Sequence, residues 1–164
     1  MRLFIAINFS EKFRNVLLDT MRILRNKGFK GNYVSAENLH MMLCFIGETE
    51  EVDEIKAAMK TVSFNPFRLS LGSLGTFGNL LWVGTNGGDE LKRVVGGIRA
   101  KLDFAGIVYD RKKFRPHITI IRKMAGNIPD DFVVPEAEMI VNKISLMKSE
   151  RLNGKMVYTE IFSI

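Results

Sequence analysis

"NLHMMLCFIGE", residues 38–48, contains one of only two histidines in this 164-residue chain. The stretch reads as a β-strand, apolar nearly throughout, with an ionisable ring near its start. Side chains alternate along a strand, so Leu39, Met41 and Leu43 point into a core while His40 and Met42 share the opposite face. The second histidine lies in "FRPHITIIRK", residues 114–123, where the same alternation sends Ile118 and Ile120 inward and puts His117 and Thr119 together on the other face. Each strand therefore offers one imidazole to a surface that need not be apolar. The two rings are 77 residues apart, nearly half the chain.

Outward from these strands the chain reads as two similar halves. "RLFIAINF" opens it as a buried strand rich in branched and aromatic residues. Ser10 has the chemistry of a helix N-cap, Phe13, Val16, Leu17, Met21 and Leu24 follow at helical spacing, and Gly28 sits where a helix would stop. The His40 strand, residues 39–46, comes next. Thr49 is then placed to cap a second helix with the stripe Val52, Ile55, Met59 and Val62. Two strands, "FRLSLGSL" and "NLLWVGT", follow around a glycine-rich turn, with Trp82 expected in the core. A third helix carries Leu91, Val94, Val95, Ile98 and Leu102 on one face. After it come the His117 strand and two closing strands, "EMIVNKISLMKS" and "MVYTEIFSI", joined by an Asn153-Gly154 hairpin turn. Pro129 and Pro135 bracket a loop, not a domain linker. The order is β-α-β-α-β-β-α-β-β-β, and a strand bearing a histidine follows a helix in each half. That predicts two like lobes facing each other.

Composition narrows the class. Apolar residues make up 46% and charged residues 26%, a globular mix long enough to bury a real core in one domain spanning 1–164. The apolar run from Leu3 to Ile7 is far too short to cross a bilayer and lacks a signal-peptide cleavage pattern, so a cytoplasmic protein without membrane contact is expected. The single cysteine, Cys44, allows no internal disulfide and no all-thiolate metal site. The histidines belong to separate motifs with no carboxylate cluster beside them, so no metal and no cofactor is expected. "GSLGTFGNLLWVG" has the wrong spacing for a dinucleotide fingerprint, and no helix follows its glycines. Lysine and arginine number 24 against 18 acidic residues. Part of the excess is local, in Arg111, Lys112, Lys113 and Arg115 just before His117. Such a patch is either a solvated loop or a surface for anionic partners.

Two imidazoles on one surface suit acid–base work on a phosphate ester. A neutral ring takes a proton from an attacking water, and a protonated ring gives one to the leaving oxygen. Histidine titrates near neutrality, so both forms coexist at working pH. A hydroxyl two residues along the strand, as Thr119 stands from His117, can hold a non-bridging oxygen.

The two extended blocks resemble the signature strands of the 2H phosphoesterases, a histidine-x-threonine/serine pattern occurring twice. The likeness is greatest to the RNA 2′,3′-cyclic phosphodiesterase branch, historically called 2′-5′ RNA ligase. It extends to the opening "RLFIAI" and to Tyr158 and Thr159 in the closing strand. The resemblance implies an α+β bilobal fold, with two antiparallel sheets lining a central cleft and helices packed outside. It implies hydrolysis of a terminal 2′,3′-cyclic phosphate to a 2′-phosphate, with RNA bearing such an end, or a small cyclic nucleotide, as partner. By that analogy His117 activates water, His40 protonates the departing 3′ oxygen, and Thr119 and Arg122 bind the phosphate. Phe45 stacks on the terminal base, and Arg115 adds positive charge beside the cleft. Phe45 and Arg122 each lie five residues after a histidine. A regular strand would aim them away from it, so each needs a twist, an end or a bulge first.

One position departs from the family pattern. Met42 stands where the first motif has threonine, and a thioether is at best a weak acceptor. A weakened or retuned enzyme is the expectation. Ligation by an RNA 5′-hydroxyl in place of water, cleavage of 2′-5′ linkages, and a noncatalytic RNA-end binder remain alternatives. Cys44, two residues further on, reads as a plain buried cysteine. The number of subunits is not written in the pattern.

Overall fold

The computed structural model describes residues 1–128 and 130–164. Pro129, expected to open a loop, lies outside the described residues. In chain order the elements are β1 (Arg2–Asn8), α1 (Glu11–Asn26), β2 (Lys30–Tyr33), β3 (His40–Glu48), α2 (Val52–Lys60), β4 (Phe67–Phe77), β5 (Leu80–Asn86), α3 (Gly88–Phe104), β6 (His117–Ala125), β7 (Glu138–Val141), β8 (Ser145–Leu152) and β9 (Lys155–Ser163). The strands form two antiparallel sheets, one in the order β3-β1-β8-β9 and the other β2-β6-β5-β4-β7. This is the α+β arrangement that the resemblance implies. Apart from β2, the sheets repeat one plan: the histidine strand pairs with a nearly continuous apolar strand, β1 or β5.

Apolar residues sort the faces. Leu3, Ile5 and Ile7 of β1 share a core with Phe13, Leu17, Met21 and Leu24 of α1, Ile55 and Met59 of α2, and the stripe of α3. Met41 and Leu43 of β3 and Ile118 and Ile120 of β6 enter the same core. The opposite face of the first sheet carries a separate small cluster, Phe4, Ala6 and Met147, with Met42, Phe45 and Tyr158 packed on it. Burial of β1 on both faces explains why residues 3–7 read as an unbroken apolar run.

Ser10 caps α1 as expected, its hydroxyl accepting from the Phe13 amide at 3.3 Å, and the chain leaves the helix through Gly28 at φ +90°. Thr49 does not cap α2. The N-cap position belongs to Glu51, and the Thr49 hydroxyl instead accepts from the Glu51 amide in the preceding turn. Two strand assignments also change. Strand β2, "KGNY", has no apolar alternation and is not among the strands expected from the sequence, yet it hydrogen-bonds along β6 and straps the first half of the chain to the second sheet. "EMIVNKISLMKS" is two strands in different sheets, because β7 pairs with β4 while β8 pairs with β1 and β9. Ile144, fully buried at the crossover, exchanges both backbone hydrogen bonds with Ile164. The crossover is thereby tied down although its sequence resembles a continuing strand.

Candidate active site

Both histidines line one cavity of about 650 Å³, together with Met42, Phe45, Arg115, Thr119 and Arg122. All seven residues singled out in the sequence therefore converge there. His40, Thr119 and Arg122 also wall a second cavity of about 620 Å³ on which Tyr33, Lys155 and Tyr158 open. These three side chains form a saddle between the two spaces.

The strands reach this arrangement by the same irregularity in each lobe. In the β1–β3 ladder Ile5 pairs with Cys44 but Ala6 pairs with Met42, leaving Leu43 as an extra residue. In the β5–β6 ladder Leu81 pairs with Ile121 but Trp82 pairs with Thr119, leaving Ile120 extra. A bulge of this kind shifts the alternation by one. Leu43 and Cys44 are consecutive buried residues, as are Ile120 and Ile121, and the next residues, Phe45 and Arg122, return to the cavity side. The offset of five that a flat strand forbids is produced by one bulge in each motif.

The imidazoles are oriented alike. His40 Nδ1 lies 2.7 Å from the Asn38 carbonyl oxygen, and His117 Nδ1 lies 2.5 Å from that of Arg115. A carbonyl only accepts, so Nδ1 carries a proton in both rings and Nε2 is left as the chemically available nitrogen. Burial pushes the His40 pKa below the ordinary histidine range. The Asn38 carbonyl opposes that shift, while Arg122 and His117 reinforce it. The electrostatic influence of His117 and Arg122 on His40 joins the lobes across the cleft.

Aromatic rings bracket each imidazole. Phe4 and Tyr158 stand 4.9 and 5.2 Å from the His40 ring, the tyrosine edge-on at 88°. Phe77 and Trp82 stand 5.2 and 6.0 Å from His117. Trp82 is half-buried on the cleft side and not the core residue expected, because its register partner is Thr119. The signal for this was present, since Trp82 alternates with the core residues Leu81 and Val83. Phe4, Phe77 and the tryptophan's role beside His117 were not anticipated from the sequence.

The basic loop is pinned and not simply solvated. The Asp110 amide donates to the Phe45 carbonyl at 2.8 Å, and the Arg99 guanidinium donates to the Lys112 carbonyl at 2.8 Å. Arg111 turns aside to pair with Asp103, while Lys112, Lys113 and Arg115 line the cavity with both histidines. Arg115 also lies over the Phe77 ring, and Arg2 covers one face of Phe45. Cys44 is buried, with its thiol pushed up to about 12, so it stays protonated. Among the described residues no group of three or more histidine, cysteine or carboxylate side chains stands together as a metal site, and no helix is long and apolar enough to cross a membrane.

Comparison with known proteins agrees with this geometry. Residues 10–153 match the family model described as the 2′-5′ RNA ligase superfamily. A protein of Archaeoglobus fulgidus named RNA 2′,3′-cyclic phosphodiesterase is 32% identical over 153 residues, covering 88% of this chain and 81% of that one. A Thermotoga maritima protein of the same name is 28% identical over 99% of this chain and 94% of its own. The apo crystal structure of LigT from Escherichia coli superposes with a TM-score of 0.83 at 23% identity, covering 99% of this chain and 95% of LigT. With its doubled histidine strands, its two facing sheets and this match over most of its length, the chain belongs to the 2′-5′ RNA ligase superfamily of 2H phosphoesterases.

Proposed function

We propose that this protein is a metal-independent RNA 2′,3′-cyclic phosphodiesterase in which His117 and His40 act as general base and general acid. The observation that carries the reading is the pair of imidazoles on one cavity, each with Nδ1 held by a backbone carbonyl and with no hydrogen-bond partner for Nε2 among the described residues. The curated relatives' name, RNA 2′,3′-cyclic phosphodiesterase, supports the substrate class. In the proposed reaction Thr119 and Arg122 hold the non-bridging oxygens. His117 Nε2 takes a proton as water attacks phosphorus. The bond from phosphorus to the 3′ oxygen breaks, and His40 gives that oxygen a proton. The products are a 2′-phosphomonoester and a free 3′-hydroxyl.

The lowered pKa of His40 bears on the acid role. In the free protein burial and two nearby cationic or ionisable groups favour its neutral form. A phosphate monoanion bound between the rings reverses the sign of the local charge and favours the imidazolium. His40 is then charged as a proton donor when substrate arrives. Phe45, Phe77 and the apolar floor of Phe4, Ala6 and Met147 are suited to a nucleobase, and Lys112, Lys113 and Arg115 to the phosphates of an RNA strand.

The deciding assay uses an oligoribonucleotide ending in a 2′,3′-cyclic phosphate, in the presence of chelator. The expected product is the 2′-phosphate, with His40→Ala and His117→Ala each nearly inactive. Parental turnover in the double variant rejects the mechanism. The second reading, joining of RNA through a 5′-hydroxyl in place of water, is favoured by the room on both sides of the saddle. Supplying a 5′-hydroxyl strand in the same assay separates the two by product length.

A further inference from the structure

Met42 leaves the first motif without the hydroxyl that Thr119 provides in the second. We propose that the Tyr158 hydroxyl donates a hydrogen bond to a non-bridging oxygen of the bound phosphate, on the His40 side of the saddle. It thereby carries a share of phosphate binding that position 42 cannot. This rests on the phosphodiesterase reading above.

The placement is the first ground. Tyr158 lies on β9, at the far edge of the sheet from β3. Its ring nevertheless reaches across the cleft face, 5.1 Å from Phe4 and 5.2 Å from His40. Tyr158 and Met42 pack on the same buried trio, Phe4, Ala6 and Met147. Tyr158 also walls the cavity shared by His40, Thr119 and Arg122. Its apolar body is thus fixed by packing beside His40, Thr119 and Arg122, the residues proposed above to surround the phosphate.

The second ground is hydrogen bonding. The chain has three tyrosines. The Tyr33 hydroxyl donates to the Phe29 carbonyl at 2.6 Å, and the Tyr109 hydroxyl donates to an Asp103 carboxylate oxygen at 3.2 Å. The Tyr158 hydroxyl has no protein partner among the described residues. A tyrosine with its ring packed and its hydroxyl unspent, opening on a cavity with Arg122 and Lys155, suits an anionic oxygen as acceptor. The phenol transfers no proton and acts only as a donor to the ligand.

The test is Tyr158→Phe, which removes the hydroxyl and keeps the ring against Phe4 and His40. With a cyclic-phosphate-ended dinucleotide, kcat/KM should fall about 10- to 100-fold, as for loss of a hydrogen bond to a charged group. In a Met42→Thr background the restored hydroxyl should reduce the same loss to about threefold or less. Equal turnover by the parent and Tyr158→Phe overturns the assignment, and an equal loss in both backgrounds overturns the sharing with position 42. A parent inactive on the dinucleotide would reject the phosphodiesterase reading alone. Calorimetry with adenosine 2′-phosphate then decides: weaker binding by Tyr158→Phe upholds the donor, while equal binding, or none by the parent, overturns it.

Discussion

Leu43 and Ile120 occupy the same place in two different strands. Each is the third residue after a histidine, and each is the unpaired residue of a bulge between the histidine strand and its apolar neighbour. The correspondence extends along both motifs. The i−2 carbonyl holds Nδ1, the i+2 residue faces the cavity, and the i+5 residue returns to it. The lobes share a backbone plan and differ in what it presents, Met42 and Phe45 on one side and Thr119 and Arg122 on the other. The cavity-facing hydroxyl and guanidinium are concentrated on β6, while β3 offers an apolar surface beside His40. That asymmetry suits the ligand proposed above, with one anionic and one aromatic end.

His40 gives a pH dependence with a definite sign. Its pKa in the folded protein lies below the unfolded value of about 6.5. Between the two values the unfolded chain binds more protons, so stability rises with pH through that window and is lost as pH falls from about 6.5 through the folded pKa. His40→Gln should flatten this part of the stability curve. Arg122→Gln removes a positive influence that helps hold the value down, so the His40 titration should move up. With only two histidines in the chain, ring-proton NMR resolves both. An unchanged His40 midpoint in Arg122→Gln refutes the electrostatic link.

Much of the candidate site is legible in the sequence, and the limits have physical causes. The alternation in "LHMML" and "PHITI" is local, so the faces of His40 and Thr119 follow from the strand period. Phe45 and Arg122 contradicted that period and pointed to bulges, but their location depends on pairing with β1 and β5, which are distant in sequence. Strand β2 was missed because "KGNY" is ordered by its bonds to β6 and not by its own residues. Trp82 and Phe4 look like core material, since an apolar ring facing a cleft has the same letter as one facing a helix. Which of the four basic residues before His117 turn inward was likewise invisible, being decided by the Arg111–Asp103 pair.

Met42→Thr should trade stability for activity. The hydroxyl would give β3 a donor like the one proposed for Thr119, and kcat/KM should rise severalfold to about tenfold. Shortening the side chain loosens its packing on the Phe4, Ala6 and Met147 cluster. Because Met42 is half-buried, the cost should be near 1 kcal/mol, or about 2–4 °C in Tm. A variant with lower Tm and no gain in turnover would mean that position 42 does not touch the phosphate.

Lys112 and Lys113 should act on the strand and not on the reaction. Both line the cavity while their side chains remain largely exposed, so glutamine at both positions should leave Tm nearly unchanged. Affinity for a long cyclic-phosphate-ended RNA should drop, and its salt dependence should flatten by about 0.7 in log–log slope for each RNA phosphate that is no longer neutralised. A cyclic mononucleotide has no upstream phosphates, so its kcat/KM should change much less. Equal losses on both substrates would place the two lysines at the reacting phosphate instead.

Gly75 gives a test of the support around His117. A Cβ at this position would lie 2.2 Å from a ring carbon of Trp82, well inside contact distance. The indole is the rigid group that must move, and it stands beside His117 and in register with Thr119. Gly75→Ala should therefore cost about 1–3 kcal/mol in stability, the usual range for overpacking. On the proposed mechanism it should also lower kcat more than it raises KM, because His117, the proposed base, is displaced while Arg122, the proposed phosphate ligand, is not. Trp82 is the chain's only tryptophan, so its fluorescence reports the displacement directly. A spectral shift with undiminished kcat would show that His117 keeps its position without the indole, leaving Phe77 and the Arg115 carbonyl as sufficient support.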